Sequence, residues 1–143
     1  MGLERLSRGE RIYLAVVVAV ILAGLSWWGF SYDRRATAAN DLLRQRPEIA
    51  NYPYVFKVLS VENGVARVST PRSAEAPAIR FLALLDPSLG GKSTNDPALI
   101  AAERHLARIQ SRVAKTLLTQ ADIHEIKWQL DREWYLEHGI SLP

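Results

Sequence analysis

Residues 12–30 read IYLAVVVAVILAGLSWWGF, nineteen positions without one charge. As an α-helix at ~1.5 Å per residue the run is ~28 Å long, close to the ~30 Å hydrocarbon thickness of a bilayer. A helix that is apolar all round has no face to turn to water, and a small domain has little room to bury one. The flanks fit a membrane boundary. Arg11 and Tyr13 bound one end, Trp27, Trp28 and Tyr32 set amphipathic rings at the other, and Asp33, Arg34 and Arg35 return the chain to water. The run is read as a transmembrane helix behind a short basic tail, residues 1–11. A cleaved secretory leader is the rival reading, since Arg5, Arg8 and Arg11 make a basic start and Ala36-Thr37-Ala38 resembles a cleavage site. The apolar run is longer than the ~7–15 residues of a leader core, and three charges separate it from those small residues, which favours an uncleaved anchor.

Within the span, Ala15, Ala19 and Ala23 recur every four residues with Gly24 alongside. Small residues on one face let two membrane helices approach closely, so these four form a candidate packing face. Orientation is nearly balanced. Three arginines precede the span, and Arg34, Arg35, Arg44 and Arg46 follow within sixteen residues. The very short tail tips the expectation towards a carboxy-terminal domain on the non-cytoplasmic side. The size and style of the anchor suggest a bacterial inner membrane.

The chain has 143 residues, enough for the anchor and one small domain but not for two catalytic domains. It has no cysteine, which excludes disulfides, thiolate zinc sites, iron–sulfur ligation and a thiol nucleophile. Residues 1–46 hold seven arginines and four carboxylates, net +3, whereas residues 47–143 balance eleven bases against eleven acids. The basic surplus therefore lies beside the span, where cations meet anionic lipid headgroups. A nucleic-acid-binding domain would carry its surplus in the soluble part, so no nucleic-acid partner is expected.

Residues 31–50 hold helix formers such as Ala36, Ala38, Ala39, Leu42 and Leu43 and meet Pro47, so they read as a helical stalk or linker. The soluble domain is expected over residues 51–143. Residues 54–62 (YVFKVLSVE) and 65–70 are rich in β-branched and aromatic side chains and flank Asn63-Gly64. That dipeptide accepts the positive φ of a type I′ turn and predicts a hairpin. Residues 71–77 read as a loop, and residues 78–85 (AIRFLALL) as a third, well-covered strand. Asp96-Pro97 supplies an N-cap and a first-turn proline for a helix to about Gln120, with Leu99, Ala102, Leu106, Ile109, Val113 and Leu117 on one apolar face. The period then changes to two, with His124, Ile126, Trp128 and Leu130 on one side of a strand. A short helix from Asp131 to His138, ended by Gly139, closes the reading. The predicted fold is α+β: a transmembrane helix followed by a small two-layer domain with a mostly antiparallel sheet, one long amphipathic helix and a short carboxy-terminal helix.

Motifs for chemistry are thin. Gly91-Lys92-Ser93 has the ending of a phosphate-binding loop, but Asp86 stands where the first glycine should be. His124-Glu125 has Trp128 in place of a second histidine, and His105, His124 and His138 show no ligand spacing, so no metal or cofactor is expected. Asp131, Glu133 and Glu137 are explained by the dipole of the last helix, and no nucleophile elbow occurs, so no catalytic residue is expected.

Surface pattern says more. Arg104, Arg108, Arg112 and Lys115 recur at i, i+4, i+8 and i+11 along the long helix, a basic stripe opposite its apolar face. Residues 121–143 carry net −3, so the stripe reads either as a solvated face partly neutralised by the acidic tail, or as a docking surface for an acidic partner or lipid headgroups. Trp134 and Tyr135 lie in a short terminal helix and read either as domain closure or as docking aromatics. The expected role is a single-pass accessory or scaffold subunit, with other membrane-complex subunits and membrane lipid as partners. The alternative is a tethered domain that binds a ligand or substrate by itself.

Overall fold

The computed structural model describes residues 7–143; the first six residues of the basic tail, Arg5 among them, and the side chains of residues 30–33, those of Tyr32 and Asp33 among them, lie outside the described residues. Helix α1 (Arg8–Arg44) opens on a reciprocal cap. The Ser7 backbone N–H donates to Glu10 Oε2 at 2.7 Å, and the Glu10 N–H donates to Ser7 Oγ at 3.4 Å. The Ser7 backbone bond holds the Glu10 carboxyl below the usual carboxylate range. Among the described residues α1 is the one helix long and apolar enough to cross a membrane by length and composition, and none of its most apolar stretch is buried. Ala15, Ala19, Ala23 and Gly24 are all exposed, and a Cβ built on Gly24 meets nothing within 4 Å.

The chain divides into two compact units, residues 1–34 and residues 35–143. In the second, the end of α1 is part of the fold: Ala36, Ala39 and Leu43 are buried in the domain's hydrophobic core. The short helix α2 (Pro47–Ala50) follows, with Ile49 buried. Residues 51–58 then alternate without interruption. Tyr52, Tyr54, Phe56 and Val58 are buried while Asn51, Pro53, Val55 and Lys57 are exposed. The pattern that predicts a strand from residue 54 is thus real, but only its second half joins the ladder, as β1 (Val58–Glu62).

Strand β2 (Val65–Thr70) returns antiparallel to β1 through a turn with Asn63 at φ 50° and Gly64 at φ 77°. Strand β3 (Glu125–Leu130) pairs with β2 in parallel, from Val65↔Glu125 to Thr70↔Leu130, giving the order β1-β2-β3. The sheet therefore has one antiparallel and one parallel pair rather than being mostly antiparallel. A helical crossover separates β2 from β3 and returns the chain in the original direction.

Residues 78–85 are a helix, α3 (Ala78–Leu85), and not the third strand read from the sequence. A continuous apolar run has no period by which to choose, and this one is built from Ala, Leu, Phe and Arg with a single β-branched residue. Its exposed Arg80 and buried Phe81 and Leu82 give it an inner and an outer side. Helix α4 (Pro97–Leu118) starts where Asp96 accepts the Ala98 N–H at 2.9 Å, and it buries Leu99, Leu106, Ile109, Val113 and Leu117. Helix α5 (Arg132–Glu137) is capped by Asp131. The result is an α+β domain whose core lies between α4 and the sheet residues Val61, Ala66 and Val68.

The turn sets register, so Gly64→Val is expected to lower stability by about 1–3 kcal/mol, because a β-branched residue tolerates φ 77° poorly. A Cβ there would also lie 2.2 Å from the His124 ring, which would have to move. Thermal unfolding of the full chain in detergent checks this; an unchanged melting temperature would mean the turn is not what sets the register.

Candidate functional site

The basic stripe is where the sequence places it. Arg104, Arg108, Arg112 and Lys115 are all exposed on α4, opposite Leu106, Ile109 and Val113. One member is engaged: Arg112 Nη1 lies 3.6 Å from Glu48 Oε1 of α2, both side chains about half exposed. The neutralising carboxylate thus comes from residues 47–50 and not from the acidic tail. Among the described residues, Arg104, Arg108 and Lys115 make no ion pair. Like charges spaced i, i+4 on a helix repel by a few tenths of a kcal/mol, roughly 0.2–0.5 per pair. The row is a small electrostatic cost that an acidic neighbour would remove.

The aromatic end is assembled differently. Tyr135 is fully buried, and its hydroxyl donates to the Pro71 carbonyl, so its ring belongs to the core. Trp134 is half-buried, 5.1 Å from the Phe81 ring and 6.1 Å from the Tyr54 ring, with the His138 imidazole stacked on it at 3.9 Å. His138 Nδ1 lies 2.7 Å from the Trp134 carbonyl, which places the imidazole at the carbonyl end of α5. Asp131 joins these elements. Its Oδ1 accepts the Trp134 N–H at 3.0 Å, and its Oδ2 accepts the Tyr54 hydroxyl at 2.9 Å. Burial, above all, pushes the Tyr54 hydroxyl far above the ordinary phenol range. Arg132 completes the closure by pairing with Glu75 and donating to the Pro143 oxygen.

Two features carry no clear signal in the sequence. The first is a cleft of about 610 Å³ lined by Leu43, Ile49, Val55, Phe56 and Leu59, with Val55 and Leu59 exposed at its surface. The second is a smaller pocket of about 320 Å³ beside β3, between Trp128 and the α4 residues Ala107, Gln110, Ser111 and Ala114. The alternation places Trp128 on the apolar side of its strand, yet it is 39% exposed and meets Phe56 edge-on at 6.2 Å. It lies on an edge strand, so the alternation that assigns its face says nothing about cover. The spacing of Ala107, Ser111 and Ala114, three small residues at i, i+4 and i+7, is the one sequence signal that could have marked the pocket.

The motif residues have structural duties. Lys92 Nζ lies 3.3 Å from Asp96 Oδ2, so the lysine of the phosphate-loop-like triplet steadies the cap of α4. Among the described residues no group of three or more His, Asp and Glu side chains could hold a metal ion. Comparison of the chain with family models, with curated proteins and with solved structures finds no match.

Asp131→Ala removes a helix cap and leaves the buried Tyr54 hydroxyl without its acceptor. The expected loss is about 2–3 kcal/mol, and Asp131→Asn, with one acceptor oxygen left, should fall between the two. Tryptophan fluorescence followed through urea unfolding measures it; wild-type stability in Asp131→Ala would mean the Tyr54–Asp131 bond contributes nothing.

Proposed function

We propose that this is a single-pass membrane protein whose carboxy-terminal domain docks other subunits of a membrane-associated assembly, in an accessory or scaffold role. The anchor reading is supported by the length and apolarity of α1 and by the exposure of its apolar stretch. The docking reading is carried by one observation, the exposed row Arg104, Arg108 and Lys115 without ion pairs among the described residues. The proposed setting is a bacterial inner membrane with the domain on the non-cytoplasmic side. The apolar cleft at Leu43, Val55 and Leu59 favours a second reading, a tethered domain that binds an apolar ligand by itself.

Native mass measurement after mild-detergent purification separates the two. Docking predicts a stoichiometric complex that weakens as salt rises, because rim charges act through screened attraction. Arg104→Glu, Arg108→Glu and Lys115→Glu together should release the partner while the domain stays folded, since solvated helix positions shift stability by less than ~0.5 kcal/mol each. A lone monomer at every salt concentration, carrying a small molecule, would replace docking by ligand binding. Trp134→Ala does not isolate docking, because Trp134 packs on Phe81 and Tyr54 inside the domain. Orientation is read in the same preparation: the chain has no cysteine, so Ser141→Cys should react with an impermeant maleimide in intact cells. Labelling only after lysis would place the domain in the cytoplasm.

A further inference from the structure

The sheet treats its two edges differently. On the β1 side the Asn40 carboxamide takes the place of a neighbouring strand. The Val58 N–H donates to Asn40 Oδ1 at 2.7 Å, and Asn40 Nδ2 donates to the Val58 carbonyl at 3.0 Å. A shift of register between Val58 and Ser60 disrupts that edge further. On the β3 side no described residue pairs with the strand. The Glu125 N–H goes to the Gly64 carbonyl and the Asp131 N–H to the Thr70 carbonyl, so the odd-numbered residues face β2. Alternation then turns the N–H and C=O groups of Ile126, Trp128 and Leu130 to the open edge. Unlike β1, β3 runs through six consecutive pairs with no bulge and no proline. An edge of this kind is a template for a further strand.

Beside this edge lies the pocket between Trp128 and α4, and it holds an unmet demand. Gln110 is 7% exposed and donates from Nε2 to Thr70 Oγ1 at 2.8 Å, while its Oε1 is buried and accepts nothing. Exchanging the amide's two ends would leave the other one unpaired instead. A strand added to β3 would send every second side chain to the α4 side, where Ala107, Ser111 and Ala114 leave room for it. The wall is also charged. On a helix turning ~100° per residue, Ser111 lies ~20° from Arg104 and ~40° from Lys115, so the pocket opens directly onto the basic row. Arg72 adds a cation beside Thr70, at the end of the sheet where Leu130 pairs. Asp122 and Glu125 stand at the other end, near Val65, and Glu103, ~40° from Ala107, is the acid on the pocket side of α4 itself.

We infer that β3 receives an extended acidic segment of a partner protein as a fourth strand, with one small polar side chain entering the pocket between Trp128 and α4 and hydrogen-bonding to Gln110. The proposal rests on the docking reading and supplies its geometry. Main-chain pairing gives the affinity, the pocket fixes the register, and carboxylates on the α4 side meet Arg104, Lys115 and Arg72.

The test uses the full chain in detergent and a capped peptide, Glu-Val-Thr-Val-Glu-Val-Thr-Val-Glu, whose Glu and Thr residues share one face. The control carries Lys for Glu. Hydrogen exchange of the Ile126, Trp128 and Leu130 amides should slow by about tenfold or more with the acidic peptide and not with the basic one. Ala114→Leu, which fills the pocket, should abolish that protection; Ser111→Leu is the second fill if the first lowers the melting temperature. No protection, equal protection by both peptides, or protection that survives both fills overturns the proposal. So does protection produced by phosphatidylglycerol vesicles without peptide, which would make the surface a lipid site. Protection that grows with protein concentration alone would mark pairing between two copies and overturn it equally. If filled variants keep their co-purifying subunits while the charge reversal releases them, strand addition fails and docking stands. If the charge reversal also releases nothing, docking fails with it.

Discussion

Two hydrogen bonds between one carboxamide and one backbone residue, Asn40 and Val58, decide how helix and sheet come to share a core. Ala36, Ala39 and Leu43 stand on the same side of α1 as Asn40, so the turns that carry the clamp also bury aliphatic surface. The clamp fixes β1, β1 fixes β2 through a two-residue turn, and β2 is the one strand that pairs with β3 among the described residues. With one edge closed by a side chain, the open edge is necessarily the other. The difference between the two edges is a consequence of where a single asparagine sits in a helix that began as an apolar run.

The polar chemistry of the domain is spent largely on holding it shut. Asp131 serves both α5 and Tyr54, Arg132 holds Glu75 and the Pro143 oxygen, and Lys92 turns to the cap of α4. Helix α4 carries three exposed cations without ion pairs among the described residues and, on its buried side, an amide oxygen without a donor. In the proposed docking these cations would be the charged rim of the contact and the amide oxygen its unsatisfied hydrogen bond.

The anchor-like run, the Asn63-Gly64 turn, the cap and apolar face of α4 and the alternation of β3 were legible because each depends on residues near one another in sequence. Residues 78–85 were misread because an unbroken apolar octet fits a buried strand and a buried helix equally well until its Ala and Leu content is weighed. The stripe was visible as spacing, but the partner of Arg112 was not, since Glu48 is brought to it by tertiary packing. Trp134 and Tyr135 looked alike on paper, yet burial separates them: one is half-covered and the other wholly inside. The Asn40 clamp joins residues eighteen positions apart and left no local signature; the Gln110–Thr70 bond joins residues forty apart, and the one local trace of its pocket is the spacing of Ala107, Ser111 and Ala114.

The parallel pairing of β2 with β3 also has a cost in time. Val65 pairs with Glu125 sixty positions on, whereas Glu62 pairs with Val65 three positions on. Closing a long loop loses more chain entropy than closing a short one, so the hairpin gains its bonds early and β3 arrives late. In that interval the bare edge belongs to β2, whose core-facing residues Ala66 and Val68 are completely covered in the finished domain. An extended segment that reaches the nascent sheet then competes with β3 for its own place. The proposed strand addition is therefore favoured after the slow contact is made, and the strand that forms last is also the one that presents the open edge.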